Sequence, residues 1–263
     1  MLQRALHAEV LGAPDRSSGP SEPPARRVVL VHGFTQTGRS WMPIASALAA
    51  EREVLAVDAP GHGSSGALRG DLVETARLAG AAGGRATYVG YSMGARIVLH
   101  LALDRPDLVE GLVLLGVTPG IEDESERAAR RAADEARAED IERDGVDAFL
   151  ATWLSSPLFA RLPAEAAALE DRRRNPPAGL AASLRECGTG TQTPLWNRLG
   201  ELRMPVLVLA GAHDDKFVAI GRRTAEAIGA NATFALVPGA GHPAHLEQPA
   251  AFLALLQPWL AAH

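Results

Sequence analysis

The chain has 263 residues, 47% of them apolar, enough to give one large globular domain, or a domain with an insertion, a substantial core. A formal net charge of −5 with no long basic run excludes the electrostatic footprint of a nucleic-acid binder. A single cysteine, Cys187, excludes an internal disulfide and a cysteine-built metal site, and no apolar stretch approaches the roughly 18 residues of a membrane span.

The opening residues MLQRALHAEVLG lack the apolar centre of a secretory signal, so a cytoplasmic protein in a reducing compartment is expected. Segment 12–25, GAPDRSSGPSEPPA, reads as a polar loop or hairpin tip. RRVVLVHG then supplies a continuous β-branched run ending in glycine, the pattern of a strand buried on both faces of a parallel sheet. EVLAVDAPG, ATYVGYS, GLVLLGVTPG, MPVLVLAGAHD and ATFALVPGAGH repeat it along the chain. Between these runs SWMPIASALAAE, LVETARLAGAAG and MGARIVLHLALDRP have helical periodicity, the last stopping where Pro106 disfavours helix at Arg105. The alternation predicts an α/β architecture with a mostly parallel, doubly wound sheet.

Between about Thr118 and Met204 no strand-like run occurs. ESERAARRAADEARAEDIERDG, VDAFLATWLSS and AEAAALEDRRRN read instead as helices separated by Pro, Gly and Ser. The expected organisation is a core formed by 1–118 and 204–263, with 119–203 inserted as a helical cap before the last strands.

The residues with chemical potential cluster at strand ends. Gly90-Tyr91-Ser92-Met93-Gly94 is a G-x-S-x-G sequence lying directly after one predicted strand and directly before a predicted helix, where a sharp turn exposes a nucleophilic serine. A triad on such a scaffold runs in the order serine, acid, histidine. Asp214 follows the strand of MPVLVLAGAHD, with Asp215 as its rival, and His242 follows the final strand, with His245 as its rival. In that arrangement the histidine takes the serine proton, and the acid fixes its tautomer and stabilises the imidazolium. The amides of Phe34, after His32-Gly33, and of Met93 are placed to form an oxyanion hole. His62, in DAPGHGSS, reads as structural. Arg96 lies four positions after Ser92 on the same helix face, so its side chain can reach back to the space above the nucleophile. Nearly all cationic residues are arginines, and Lys216 is the only lysine.

Taken together, the HG after the first long strand, DAPGHGSS, the serine turn, the acid loop and the terminal GH resemble the α/β-hydrolase family over essentially the whole chain. A closer resemblance, to the 2-succinyl-6-hydroxy-2,4-cyclohexadiene-1-carboxylate synthases of menaquinone biosynthesis, rests on GYSMGAR, PGIEDESERAARR, FLATWLSSPLFARL, RRRNPPAGLAASLRECGTGTQTPLW, GAHDDKF and GAGHPAH. It implies a lyase that eliminates pyruvate from a small substrate bearing three carboxylates, without metal or organic cofactor. It also implies carboxylate binding by Arg96, by Arg130 with Arg127 and Arg131 as its rivals in the same run, and by Arg173 with Arg172 and Arg174 as its rivals. Tyr91 and Trp153 would shape the pocket. The same triad also fits a serine esterase or a C–C hydrolase acting on a small carboxylate-bearing substrate.

Overall fold

A computed structural model describes residues 5–12 and 26–263; apart from Gly12, the loop expected at 12–25 lies outside the described residues. The first strand, β1 (Ala8–Leu11), is followed by β2 (Arg27–Val31), α1 (Met42–Leu48), β3 (Glu53–Val57) and α2 (Leu72–Gly83). Then come β4 (Ala86–Tyr91), α3 (Met93–Asp104) and β5 (Val109–Leu115). The strands form one seven-stranded sheet in the order β1-β3-β2-β4-β5-β6-β7, in which β6 is Val206–Gly211 and β7 is Ala232–Val237. Every neighbouring pair is parallel except β1 and β3. The six long apolar runs are the six parallel strands. β1 went unread in the sequence because it is short and half exposed, with neither a buried run nor a clean alternation to betray it.

Helices cover both faces of the sheet, which is why the central strands carry apolar residues at consecutive positions. On one face α2 and α3 bury Leu78, Ile97 and Leu101 against Val29, Tyr88 and Leu112. On the other face α1 packs Ile44 and Leu48 beside Phe252 and Leu256 of α9 (Pro249–Ala262) and against Val28, Leu30 and Val113. Strand order runs one way from β2 to β3 and the other way from β4 onward. The loops leaving β2 and β4 therefore diverge at their carboxyl ends, and a crevice opens there.

Between β5 and β6 the chain forms α4 (Glu124–Leu154), α5 (Leu169–Arg172) and α6 (Pro177–Cys187). Asp123 caps α4 by accepting a hydrogen bond from the Glu126 amide, and Gly145 kinks it with φ of 84°. Ala138, Ile141 and Leu150 of α4 close against Leu180 and Leu184 of α6 as a small core of their own. The helix expected over AEAAALEDRRRN shrinks to the single turn of α5. Ala168 enters the left-handed region at φ 50° and interrupts the path, and the segment docks on the loop after β2 instead. There Asn175 donates to the Thr35 carbonyl at 2.7 Å and accepts from the Gly63 amide at 2.8 Å, while Thr37 donates to Asp171 at 2.5 Å. The inserted helices thus sit over the carboxyl ends of the strands.

Candidate active site

The turn between β4 and α3 sets the site. Ser92 adopts φ 52° and ψ −109°, a strained conformation for a residue with a side chain, held by its amide donating to Leu115 O at 2.9 Å. The turn is possible because Gly90 and Gly94, two residues to either side, lack side chains. A Cβ on Gly94 would come within 2.1 Å of Val31 O, and one on Gly90 within 2.4 Å of Gly94 O.

The three residues anticipated as a triad meet although they come from three separate loops. His242 Nε2 lies 3.1 Å from Ser92 Oγ, and His242 Nδ1 lies 2.7 Å from Asp214 Oδ2. Asp214 also caps α7 (Asp215–Ile228), its other oxygen accepting from the Phe217 amide at 3.3 Å. That double duty leaves Asp215, the first residue of the helix, pointing to solvent. The imidazole of His242 is held between Phe217 and Tyr91 at ring distances of 4.3 and 5.3 Å. A Cβ on Gly116 would press within 2.9 Å of its Cε1, so that glycine makes room for it. The rival His245, in the turn α8 (Ala244–Glu247), is buried and stacked on Trp41 at 4.1 Å, and burial holds its pKa well below the ordinary value. It is packing, not a base.

Phe34 and Met93 both line the cavity that holds Ser92, and neither amide donates to a protein acceptor among the described residues. Amides without a protein acceptor are the kind of donor that an oxyanion hole uses. His62 takes the structural part assigned to it: its Nδ1 donates to Pro60 O at 3.0 Å, and burial pushes its pKa down to about 3. Asp58 fixes the same loop by accepting from the Gly38 and Ser64 amides, each at 2.8 Å.

Above the triad is a cavity of about 470 Å³ reached by Ser92, Asp214 and His242 and walled by Phe34, Met93 and Trp153. Four cations line it: Arg96, Arg130, Arg137 and Lys216. Arg96 is 7% exposed, and its one side-chain partner among the described residues is Gln192, at a long 3.4 Å. Burial among the apolar residues of α3 pushes its pKa down to about 10, still cationic at neutral pH. Arg130 is held by Asp134, both of whose oxygens lie 2.9 Å from its Nε. Its neighbours Arg127 and Arg131 bond to Glu124 and to the carbonyls of Ile121 and Gly190 and do not line this cavity. Cys187 also borders the cavity, buried, with its thiol pKa pushed up to about 11 by burial.

The structure departs from two of the expected positions. Arg173 does not reach the cavity. It points outward from the single turn of α5 and pairs with Asp147 at 2.6 Å and with Glu170. Arg172 is the residue of that run that turns inward, 1% exposed, donating to the Ala167 carbonyl at 2.7 Å and to Thr35 Oγ1, but it is not among the cavity residues either. Tyr91 does not line the cavity. It lies beneath, behind the His242 ring and 4.6 Å from that of His245, and burial raises its phenol pKa. Arg137 was missed, although its position seven residues after Arg130, two helical turns on, is a readable signal. Among the described residues no group of three His, Cys, Asp or Glu side chains could hold a metal ion, and no helix is long and apolar enough to cross a membrane.

The Alpha/beta hydrolase family matches residues 28–255 of the chain. A putative 2-succinyl-6-hydroxy-2,4-cyclohexadiene-1-carboxylate synthase of Bacillus subtilis is 35% identical over 249 residues, covering 89% of this chain and 90% of that protein. The 2-succinyl-6-hydroxy-2,4-cyclohexadiene-1-carboxylate synthase of Serratia proteamaculans is 34% identical over 244 residues, covering 89% and 92%. Among solved structures, MenH from S. aureus superposes with a TM-score of 0.87 at 29% identity, over 97% of this chain and 98% of that one. A thermophilic esterase from Thermogutta terrifontis superposes with a TM-score of 0.79 over 98% and 93%, and at 24% identity shares the fold alone.

Proposed function

The chain belongs to the alpha/beta hydrolase family, and within it we propose that this protein is a lyase of menaquinone biosynthesis. It eliminates pyruvate from 2-succinyl-5-enolpyruvyl-6-hydroxy-3-cyclohexene-1-carboxylate to give 2-succinyl-6-hydroxy-2,4-cyclohexadiene-1-carboxylate. The observation that carries this reading is the charge of the cavity. A serine, histidine and aspartate in hydrogen-bond sequence open into a space lined by four cations, and its one lining carboxylate, Asp214, is already bonded to His242. An ester substrate needs no such walls; a substrate with three carboxylates does. Relatives named for this reaction, matched along nine-tenths of their length, support the same reading.

In this mechanism Ser92, with His242 behind it, removes the ring proton α to the succinyl ketone. The proton passes to His242 Nε2, and Asp214 stabilises the imidazolium. Negative charge moves to the ketone oxygen, where the Phe34 and Met93 amides receive it. The ring double bond then shifts, the carbon–oxygen bond to the enolpyruvyl group breaks, and the enolate takes up a proton to leave as pyruvate. No acyl-enzyme forms, so the fold's hydrolytic equipment serves as a proton shuttle and anion trap.

A second reading, hydrolysis of a small carboxylate-bearing ester, is favoured by the 3.1 Å Ser92–His242 contact beside two unoccupied amides, the arrangement acylation needs. One assay separates the two. The purified protein is given the enolpyruvyl cyclohexene substrate, generated in place, and pyruvate release is followed beside a no-enzyme control and the Ser92→Ala variant. A large acceleration that disappears in Ser92→Ala is expected. Release at the spontaneous rate, with turnover of simple esters, refutes the lyase.

A further inference from the structure

The face of α4 toward the cavity repeats a charged side chain at Arg130, Asp134 and Arg137, positions i, i+4 and i+7 of one helical stripe. Asp134 is 2% exposed, whereas the two arginine side chains keep 36% and 40% of their surface. Its carboxylate receives the Arg130 Nε on both oxygens at 2.9 Å and Arg137 Nη1 at 3.2 Å. The carboxyl end of α6 closes over it so tightly that a Cβ on Gly188 would lie 2.8 Å from Asp134 Oδ2. Both guanidiniums go on to line the cavity that holds Ser92.

Charge counting shows what Arg137 adds. Arg130 with Asp134 alone is a neutral pair and offers a substrate carboxylate little attraction. Arg137 makes the trio a net cation. Asp134 in turn allows two like charges to stand side by side, while the nitrogens they do not spend on it, both Nη of Arg130 and Nε and Nη2 of Arg137, have no protein partner among the described residues. We infer that Arg137 is a substrate-binding residue, a cap cation that meets a carboxylate alongside Arg130, and that Asp134 is the positioning residue that aims both. The ligand class is a small molecule with at least two separated carboxylates, one for Arg96 on α3 and one for this pair on α4. The identity of that molecule, but not the site, rests on the lyase reading.

The test compares wild type, Arg137→Gln, Arg137→Lys and Asp134→Asn in two assays. In the first, pyruvate release, Arg137→Gln is expected to raise KM about tenfold to a hundredfold, the value of one charge-assisted contact, with kcat changing far less. Lysine restores part of the loss. Asp134→Asn raises KM by at least as much, because both guanidiniums lose their anchor. In the second, calorimetry with propane-1,2,3-tricarboxylate as the probe, Kd weakens in the same order, and the salt dependence of binding flattens in Arg137→Gln. A KM and a Kd for Arg137→Gln within twofold of wild type overturn the proposal and leave Arg137 an ordinary i,i+3 surface pair. So does failure of wild type to bind the tricarboxylate at millimolar concentration. Calorimetry needs no turnover, so a wild type that binds the probe but releases no pyruvate defeats the lyase reading and leaves the anion site standing. Arg137→Lys, the mildest change, keeps the test informative should Asp134→Asn not fold.

Discussion

Arg96 is buried in the fold at a cost that its contact to Gln192 leaves largely uncompensated, and its replacement by methionine makes that cost measurable. The guanidinium is buried on the inner face of α3 with one long contact to Gln192. Burial pushes its pKa well below the ordinary guanidinium value, to about 10, so the fold disfavours the charged form by on the order of 3 kcal/mol. A cation whose folded pKa lies below its unfolded one destabilises the fold wherever it is charged in both states. The penalty is therefore in full force at pH 7 and is relieved only as the pH climbs past 10. Methionine fills similar length without charge, so Arg96→Met is expected to gain about 1–3 kcal/mol in urea unfolding at pH 7, the upper limit being reached if no new void forms. For a chain of this size that is a rise in Tm of roughly 3–10 °C. The same variant loses kcat/KM about a hundredfold or more, the value of a two-pronged charged contact, and the stabilisation that a di- or tricarboxylate confers on wild type disappears. An Arg96→Met protein less stable than wild type by more than about 1 kcal/mol would refute the reasoning, because it would make Arg96 a satisfied structural group.

Asp214→Asn should lower kcat for pyruvate release by about 10³–10⁴ through loss of the imidazolium's partner, with the unfolding midpoint nearly unchanged because asparagine caps α7 as well as aspartate does; steady-state kinetics beside urea titration reads both. Ser92→Gly should be inactive yet more stable by about 1 kcal/mol, since glycine accepts φ 52° without strain; a loss of stability in calorimetry contradicts this. Gly94→Ala should cost more than about 3 kcal/mol or prevent accumulation of folded protein, because its methyl would sit 2.1 Å from Val31 O, as soluble yield and circular dichroism will report. Acid should destabilise the fold through its buried histidines. Burial puts His62 at about 3 and His100 at about 4, below their ordinary 6.5. The unfolded chain therefore binds the extra protons as pH falls below 6.5, and at pH 5 the two together remove about 4 kcal/mol relative to pH 7. Equal urea midpoints at the two pH values would argue against this.

The three residues proposed for catalysis were legible because each stands at the end of a strand, and strands buried on both faces announce themselves as unbroken apolar runs. Once ATYVGYS, MPVLVLAGAHD and ATFALVPGAGH are read as neighbours in one sheet, Ser92, Asp214 and His242 have little choice but to meet. The cap offered no such ruler. Whether Arg172 or Arg173 turns inward depends on Ala168 taking a left-handed conformation and on Asn175 reaching across to Thr35, contacts between segments some 140 positions apart. Tyr91 was misjudged because strand alternation put it on the face opposite Ser92, beneath the histidine it was expected to stand beside. Arg137 was overlooked for a different reason: in an arginine-rich helix a cavity-facing cation and a solvated one have the same composition, and only the buried Asp134 between them tells them apart.

Gly145 gives α4 a division of labour. A Cβ there would touch nothing within 4 Å, so space does not require glycine; the φ of 84° does. Upstream of the bend the helix carries Arg130, Asp134 and Arg137, and downstream it carries Phe149 and Trp153, whose rings lie 6.1 and 5.6 Å from that of Phe34. One limb carries the two arginines that line the cavity, and the other packs its rings on Phe34. The bend between them fixes the span from the charged end of the cavity to the aromatic residues beside Ser92. A change of that angle would lengthen or shorten the span while leaving Ser92, Asp214 and His242 in place.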